Sequence, residues 1–305
     1  MPVTVKKTLI LTTLELLRRH SDDEHHLKQT EILSIMEQEY GTTLDRKSLR
    51  RNLKDLVDMG YPVEEDHGWY YAHEFHMSEL NLIADSLLYN PAVPWKQCRG
   101  LLEKLGTLAS RYYEPTPGAG MIKPANGEFL FTLDVLHEAI AKRKKVSFQY
   151  HYYDVDKKLH PTLRKDGSVR VLTVSPYRIV QSGGRYYLIC NTDNHDGVSH
   201  YRLDRIRFAE LAKEGVRPMR DVEGGSALYN MPKYLAEHPH MFSGPTVSAR
   251  LRATRQMAGN ILDWFGMDTR FENVTEDSLE AVVQVDETSL KYWLKQYDEG
   301  VERIE

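Results

Sequence analysis

Five cations, Arg46, Lys47, Arg50, Arg51 and Lys54, stand against only Asp45 and Asp55 over one short span. Leu49, Leu53, Leu56 and Val57 recur within the same span at i, i+4, i+7 and i+8, which predicts a helix with an apolar stripe and a basic face. Such a face suits phosphate oxygens and guanine edges, and Ser48 adds a hydroxyl to it. The chain as a whole carries a net charge of -4, but phosphate binding needs a local basic face rather than a basic total. A cation stripe alone is most often a solvated surface. The elements that carry it decide its meaning.

Those elements have a definite order. Residues 5 to 20 place Leu9, Thr13, Leu14 and Leu17 at helical spacing before a polar, acidic loop. Residues 29 to 40 follow with Ile32, Ile35 and Met36 on one stripe and Gly41 as a C-cap. Asp45 is a good N-cap for the basic helix, which ends at Gly60. Tyr61 to Tyr71 then reads as two strand-like pieces around an Asp66-His67-Gly68 turn. Helix, helix, basic helix, hairpin is the order of a winged helix-turn-helix, whose third helix enters the major groove. The candidate DNA-binding residues are therefore Arg46, Lys47, Ser48, Arg50, Arg51 and Lys54, with double-stranded DNA as the partner.

A second constellation lies further along: Tyr150, Tyr152, Ser175, Tyr177, Tyr187, His200, Arg202 and Arg205. Arginine offers a planar, five-donor group suited to phosphate, and tyrosine rings can stack on bases. Strand alternation puts His200 and Arg202 on one face and Tyr201 and Leu203 on the other. Taken as a group, these residues form a candidate anionic-ligand patch. The plainer alternative pairs Arg205 with Asp204 or a neighbouring carboxylate as a fold staple and places the tyrosines in the core. After a helix at 131 to 143, strand-like runs at 146–153, 169–174, 177–181, 185–191 and 198–203 predict a small, strongly bent barrel. Lys142 to Lys145 fall where cations meet the C-terminal end of that helix.

The runs Val174-Ser-Pro-Tyr-Arg-Ile-Val, Gly183-Gly-Arg-Tyr-Tyr-Leu-Ile-Cys and His200-Tyr-Arg-Leu-Asp-Arg-Ile resemble the WYL domain, an Sm-like barrel found downstream of winged helices in bacterial regulators. Tyr186-Tyr187-Leu188 stands where that family has Trp-Tyr-Leu, and a tyrosine still supplies a large ring to the core. Residues 241 to 297, with Met241-Phe-Ser-Gly, Leu262-Asp-Trp-Phe-Gly and Tyr292-Trp-Leu-Lys-Gln-Tyr, look like the WCX extension that accompanies it. The resemblance implies a dimeric transcription regulator whose WYL domain senses a nucleotide or single-stranded nucleic acid.

The expected fold class is α+β. It comprises a winged helix-turn-helix at 1–75, a helical connector and linker at 76–128, a WYL Sm-like barrel at 129–215, a linker at 216–245 and a small α+β WCX domain at 246–305. The first boundary rests on the Pro/Gly run through Pro115, Pro117, Gly118, Gly120, Pro124 and Gly127. With 41% hydrophobic and 28% charged residues, 305 residues suit several folded domains rather than a disordered chain. No apolar stretch approaches the length of a membrane span, and the expected location is cytoplasmic. Cys98 and Cys190 lie too far apart in sequence and surroundings for a disulfide framework or thiolate metal site. His73-Glu-Phe-His76 and the histidines at 20 to 26 fit solvated side chains better than metal ligands. No phosphate loop, nucleophile elbow or paired-carboxylate signature is present, so neither catalysis nor a cofactor is expected. Homodimerisation is expected because two-fold symmetry doubles the contacts of one modest basic face. The competing classes are an accessory single-stranded nucleic-acid-binding or protein-interaction module, and a nucleotide-processing enzyme.

Overall fold

The computed structural model describes residues 3–114 and 127–305, so the Pro/Gly run at 115–126 lies outside the described residues. The chain divides into two compact units, 1–90 with 95–122 and 91–94 with 123–305.

In the first unit, helices α1 (Val3–His20), α2 (Gln29–Tyr40) and α3 (Arg46–Asp58) precede the hairpin of β1 (Val63–Glu65) and β2 (Trp69–Tyr71). Apolar spacing on each helix builds one shared core: Leu9, Leu16, Leu17, Ile32, Met36, Leu49, Leu53 and Leu56, closed by Leu27, Val63 and Trp69. Leu27 and Trp69 exchange both backbone hydrogen bonds, 2.9 and 2.8 Å, which adds a one-residue third strand to the wing. Gly41, at φ 60°, ends α2 in the left-handed conformation that glycine adopts without cost. Asp45 caps α3 by accepting from the Ser48 backbone N–H. Val57, expected on the apolar stripe of α3, is exposed, and Asn52 is buried instead. The order is that of a winged helix-turn-helix. Helices α4 (Met77–Leu88) and α5 (Trp95–Gly106) follow, and Leu80, Ala84, Leu105 and Tyr113 form a smaller core around them.

The second unit opens with α6 (Phe129–Lys142) and the strands β3 (Lys144–Tyr153), β4 (Leu159–Pro161), β5 (Val171–Ser182), β6 (Arg185–Thr192), β7 (Ser199–Arg202) and β8 (Ile206–Gly215). Arg143, at φ 52°, caps α6 and turns the chain straight into β3. The path β4-β3-β5-β6-β7 is antiparallel throughout, and β8 also pairs with β3. The runs at 169–174 and 177–181 prove to be one strand, because Pro176 is absorbed by a bulge between Pro176 and Arg178. Among the described residues β7 and β8 do not pair, so the sheet is open along that seam rather than a closed barrel. It nevertheless curls: the Arg202 backbone N–H at the end of β7 donates to the Tyr150 hydroxyl on β3 at 3.2 Å. The Tyr201 ring meets Phe148 and Tyr150 edge-on. A 3-10 turn, Leu203–Arg205, joins β7 to β8.

The segment read as a linker at 216–245 has structure of its own. Two 3-10 turns, Met219–Asp221 and Gly225–Tyr229, lead into α7 (Met231–Glu237). Val222, Leu228, Tyr234 and Met241 are buried against Tyr177 and Ile189 of the sheet. The chain then forms β9 (Thr246–Thr254), α8 (Ala258–Phe265), β10 (Arg270–Glu272), β11 (Ser278–Asp286), α9 (Glu287–Gln296) and β12 (Val301–Arg303). Strand order is β10-β11-β9-β12. Ala249, Leu251 and Ala253 of β9 and Leu279, Ala281, Val283 and Val285 of β11 share a core with Ile261, Phe265, Leu290 and Trp293. Both helices therefore cover one face of the sheet, in a split βαβ arrangement.

Candidate nucleic-acid interface and ligand site

The helix α3 presents Arg46, Lys47, Arg50, Arg51 and Lys54 outward, all exposed. Among the described residues none of the five has an ion-pair or hydrogen-bond partner for its side chain. The one acid close to them at the helix start, Asp45, is occupied by the Ser48 backbone N–H at 3.0 Å and the Ser48 hydroxyl at 2.7 Å, which hold its carboxyl below the usual range. Ser48 thus spends its hydroxyl proton on the cap, leaving the arginines and lysines as the free donors. The wing differs in charge. Glu64, Glu65 and Asp66 run up to its tip, where His67 is almost fully exposed. Tyr70 donates to Glu64 at 2.6 Å, and the His26 ring stacks on Tyr70 at 4.3 Å, fixing the hairpin against the loop before α2.

The predicted ligand residues of the second unit separate into three groups. Ser175 and Tyr177 are buried, and both tie down Arg217: the Ser175 hydroxyl accepts from its backbone N–H at 2.9 Å, and the Tyr177 hydroxyl donates to its carbonyl at 2.8 Å. Burial pushes the Tyr177 hydroxyl up to about 12. Tyr187 is half-buried against the same core. These three serve packing.

The arginine group centres on Asp204, which is buried. Arg202 Nε and Nη2 grip its carboxylate at 3.0 and 2.7 Å, and Arg185 approaches to 4.0 Å. The pairing with Asp204 that the plainer alternative gave to Arg205 is made by Arg202 instead. Arg205 Nε is buried without a hydrogen-bond partner. Tyr150, its hydroxyl raised by burial, borders both arginines, whereas Tyr152 is 45% exposed on the far end of β3. Arg185, unmarked in the sequence reading, is signalled by its place directly after the Gly183-Gly184 turn that carries the family motif. Tyr186, at the position of the family tryptophan, is half-buried and meets Phe129 edge-on at 5.6 Å.

His200 leaves this group. Its Nε2 bonds the Tyr234 hydroxyl at 2.8 Å and its Nδ1 the Ser243 hydroxyl at 3.1 Å, so it faces the 216–245 segment. Burial, with the neighbouring His238 second, lowers its pKa to about 4. His200 lines a cavity of about 600 Å³ with His195, Tyr234, Glu237 and His238. The segment taken as a linker supplies most of that wall. A signal for it was available: Asn230 caps α7, Pro232 sits in its first turn, and Tyr234 and His238 fall four apart.

The charges elsewhere are spent locally. Lys142 pairs with Glu138, Lys145 with Asp193, and Lys144 donates to the Lys213 carbonyl. His73 bonds the Leu108 and Ser21 carbonyls, and no metal-binding cluster occurs among the described residues. No described helix is long and apolar enough to cross a membrane.

The open, curled sheet preceded by a helix, with Arg-Leu-Asp-Arg at the seam, falls in the segment that matches the model of the WYL domain family, residues 132–211. Among solved structures the chain is similar to Proteasome accessory factor B/C (PafBC) of Arthrobacter aurescens, with 18% identity, 98% of this chain and 46% of that chain covered, and a TM-score of 0.30. The chain thus spans about half the length of that protein. No curated protein matches it.

Proposed function

We propose that this protein is a DNA-binding transcription regulator, acting as a homodimer, whose WYL domain senses an anionic nucleotide or a nucleic-acid-derived ligand and thereby alters operator binding. The observation that carries the reading is the unpartnered basic face of α3, in the position where a winged helix presents its recognition helix. Five solvated guanidinium and ammonium groups can meet phosphates without first breaking an internal ion pair.

The sensing part rests on Arg205. A guanidinium Nε buried without an acceptor is costly, and an incoming phosphate or carboxylate would satisfy it. Arg202, in contrast, would have to exchange Asp204 for the ligand. The ligand shifts the equilibrium between two dimer geometries only by its difference in affinity for them. The C-terminal βαββαβ unit is assigned to the WCX extension on the resemblance of residues 241–297.

The test is a gel-shift selection of bound duplex followed by titration. Wild type should select an inverted repeat, and Arg205→Ala should keep duplex affinity while losing the response to oligonucleotide or nucleotide effectors. Retained single-strand binding with no duplex binding by wild type would replace this reading with the accessory-module one.

A further inference from the structure

The cavity beside His200 is chemically unlike the arginine group. Its lining residues include His195, His200, Glu223, Tyr234, Glu237 and His238, and no lysine or arginine. Glu237 pairs only at 3.8 Å with Lys233, which is itself 58% exposed and not part of the wall. The cavity falls within the 300 to 1,000 Å³ range, roughly, that holds small molecules.

Its hydrogen-bonding capacity is one-sided. His238 is 6% exposed, and its Nδ1 lies 3.0 Å from the Tyr234 carbonyl, which only accepts. Nδ1 must therefore donate, which in the neutral ring makes Nε2 an acceptor. Among the described residues nothing hydrogen-bonds that Nε2. Tyr234 and His238 stack at 4.2 Å and 21°, giving a flat wall. His200 has both ring nitrogens committed to hydroxyls. An occupant thus meets an unfilled imidazole acceptor, a lining that includes Glu237 and Glu223, and flat rings, with no lysine or arginine in the lining to receive an anion.

We propose that this cavity binds a small cationic hydrogen-bond donor, an amine or amidine, at a site separate from the anionic-ligand patch. The ammonium or amidinium group would donate to His238 Nε2 and to Glu237, and its apolar body would lie along Tyr234. Because most of the wall comes from the 216–245 segment and the rest chiefly from residues 195–200 at the start of β7, occupancy would tie that segment more firmly to the sheet. The proposal stands independently of DNA binding.

The experiment is calorimetric titration of the full chain with benzamidine and with spermidine, and with benzoate as the isosteric anion. Benzamidine or spermidine should bind and benzoate should not. Glu237→Gln should weaken amine binding by about tenfold or more, the size of one charge-assisted hydrogen bond, and His238→Phe, which keeps a ring in the stack, should do the same. Arg205→Ala should leave it unchanged. Should His238→Phe fail to fold, Glu237→Gln at the cavity rim decides alone. Absence of amine binding at roughly 10 mM, equal binding of benzoate, or amine binding that Glu237→Gln leaves intact would each overturn the proposal.

Discussion

Two stretches of this chain carry basic residues along one face, and their surroundings differ completely. On α3 the five cations stand free of internal partners. On β9, Arg250 meets Glu272 at 2.8 Å, Glu280 at 3.3 Å and Glu305 at 3.6 Å, and Arg252 meets Glu302 at 3.2 Å and Glu280 at 3.5 Å. The open face of the C-terminal sheet is therefore internally neutralised, while the helix face is left to solvent. Capacity to bind a polyanion is set by how many cations lack acceptors, not by how many cations there are.

The comparison breaks most decisively on α3. Reversing charge at Arg50 and Arg51 together should lower duplex affinity by roughly a thousandfold, since bidentate base contacts are worth about 1–3 kcal/mol each and like charge adds repulsion. A gel-shift titration that finds the affinity unchanged removes α3 as the interface. Next in size is a group able to become a cation but kept neutral by burial. His200 has its folded pKa lowered from 6.5 to about 4, so the unfolded chain takes up its proton first as pH falls. Its contribution is fully present above about pH 6.5 and is lost progressively as pH drops toward 4, by at most about 3 kcal/mol. Chemical denaturation across that range should show the loss, and His200→Asn should flatten it.

Freeing the β9 arginines sharpens the contrast further. Glu280→Gln with Glu302→Gln should give a several-fold rise in salt-sensitive, sequence-independent DNA binding, measured by fluorescence anisotropy at low salt. No rise would mean that something other than pairing silences that face. Smallest of all, Arg252→Ala should leave operator affinity unchanged and shift the melting temperature only slightly, because exposed ion pairs contribute little.

Much of this organisation is legible in the residues. The three N-terminal helices, their caps at Gly41 and Asp45, the hairpin and the WYL runs follow from apolar spacing and turn chemistry. What escaped has physical causes. β8 was hidden because Phe208 takes φ 52° and breaks the two-residue alternation, leaving only Ile206 and Ala209 buried. β4, β10 and β12 are three residues each, too short to show a period. The 216–245 segment resembled a linker by its glycines and prolines, although Tyr234 anchors it in the core. At the candidate ligand site, alternation pairs His200 with Arg202 along β7 but carries no information on which distant residue each meets. Asp204 captured Arg202, and Tyr234 captured His200.

The wing has a kinetic consequence. Glu64 and Glu65 lie on the element flanking α3, and together with Asp58 and Lys54 of α3 they line the groove between helix and hairpin. If α3 docks on DNA as proposed, carboxylates there would repel the sugar-phosphate backbone on every sequence alike, whereas the arginines of α3 would gain extra contacts only where the bases match. On the proposed DNA-binding role, that repulsion would shorten each dwell on random DNA more than the stay at a cognate site, and so favour many brief landings over long slides.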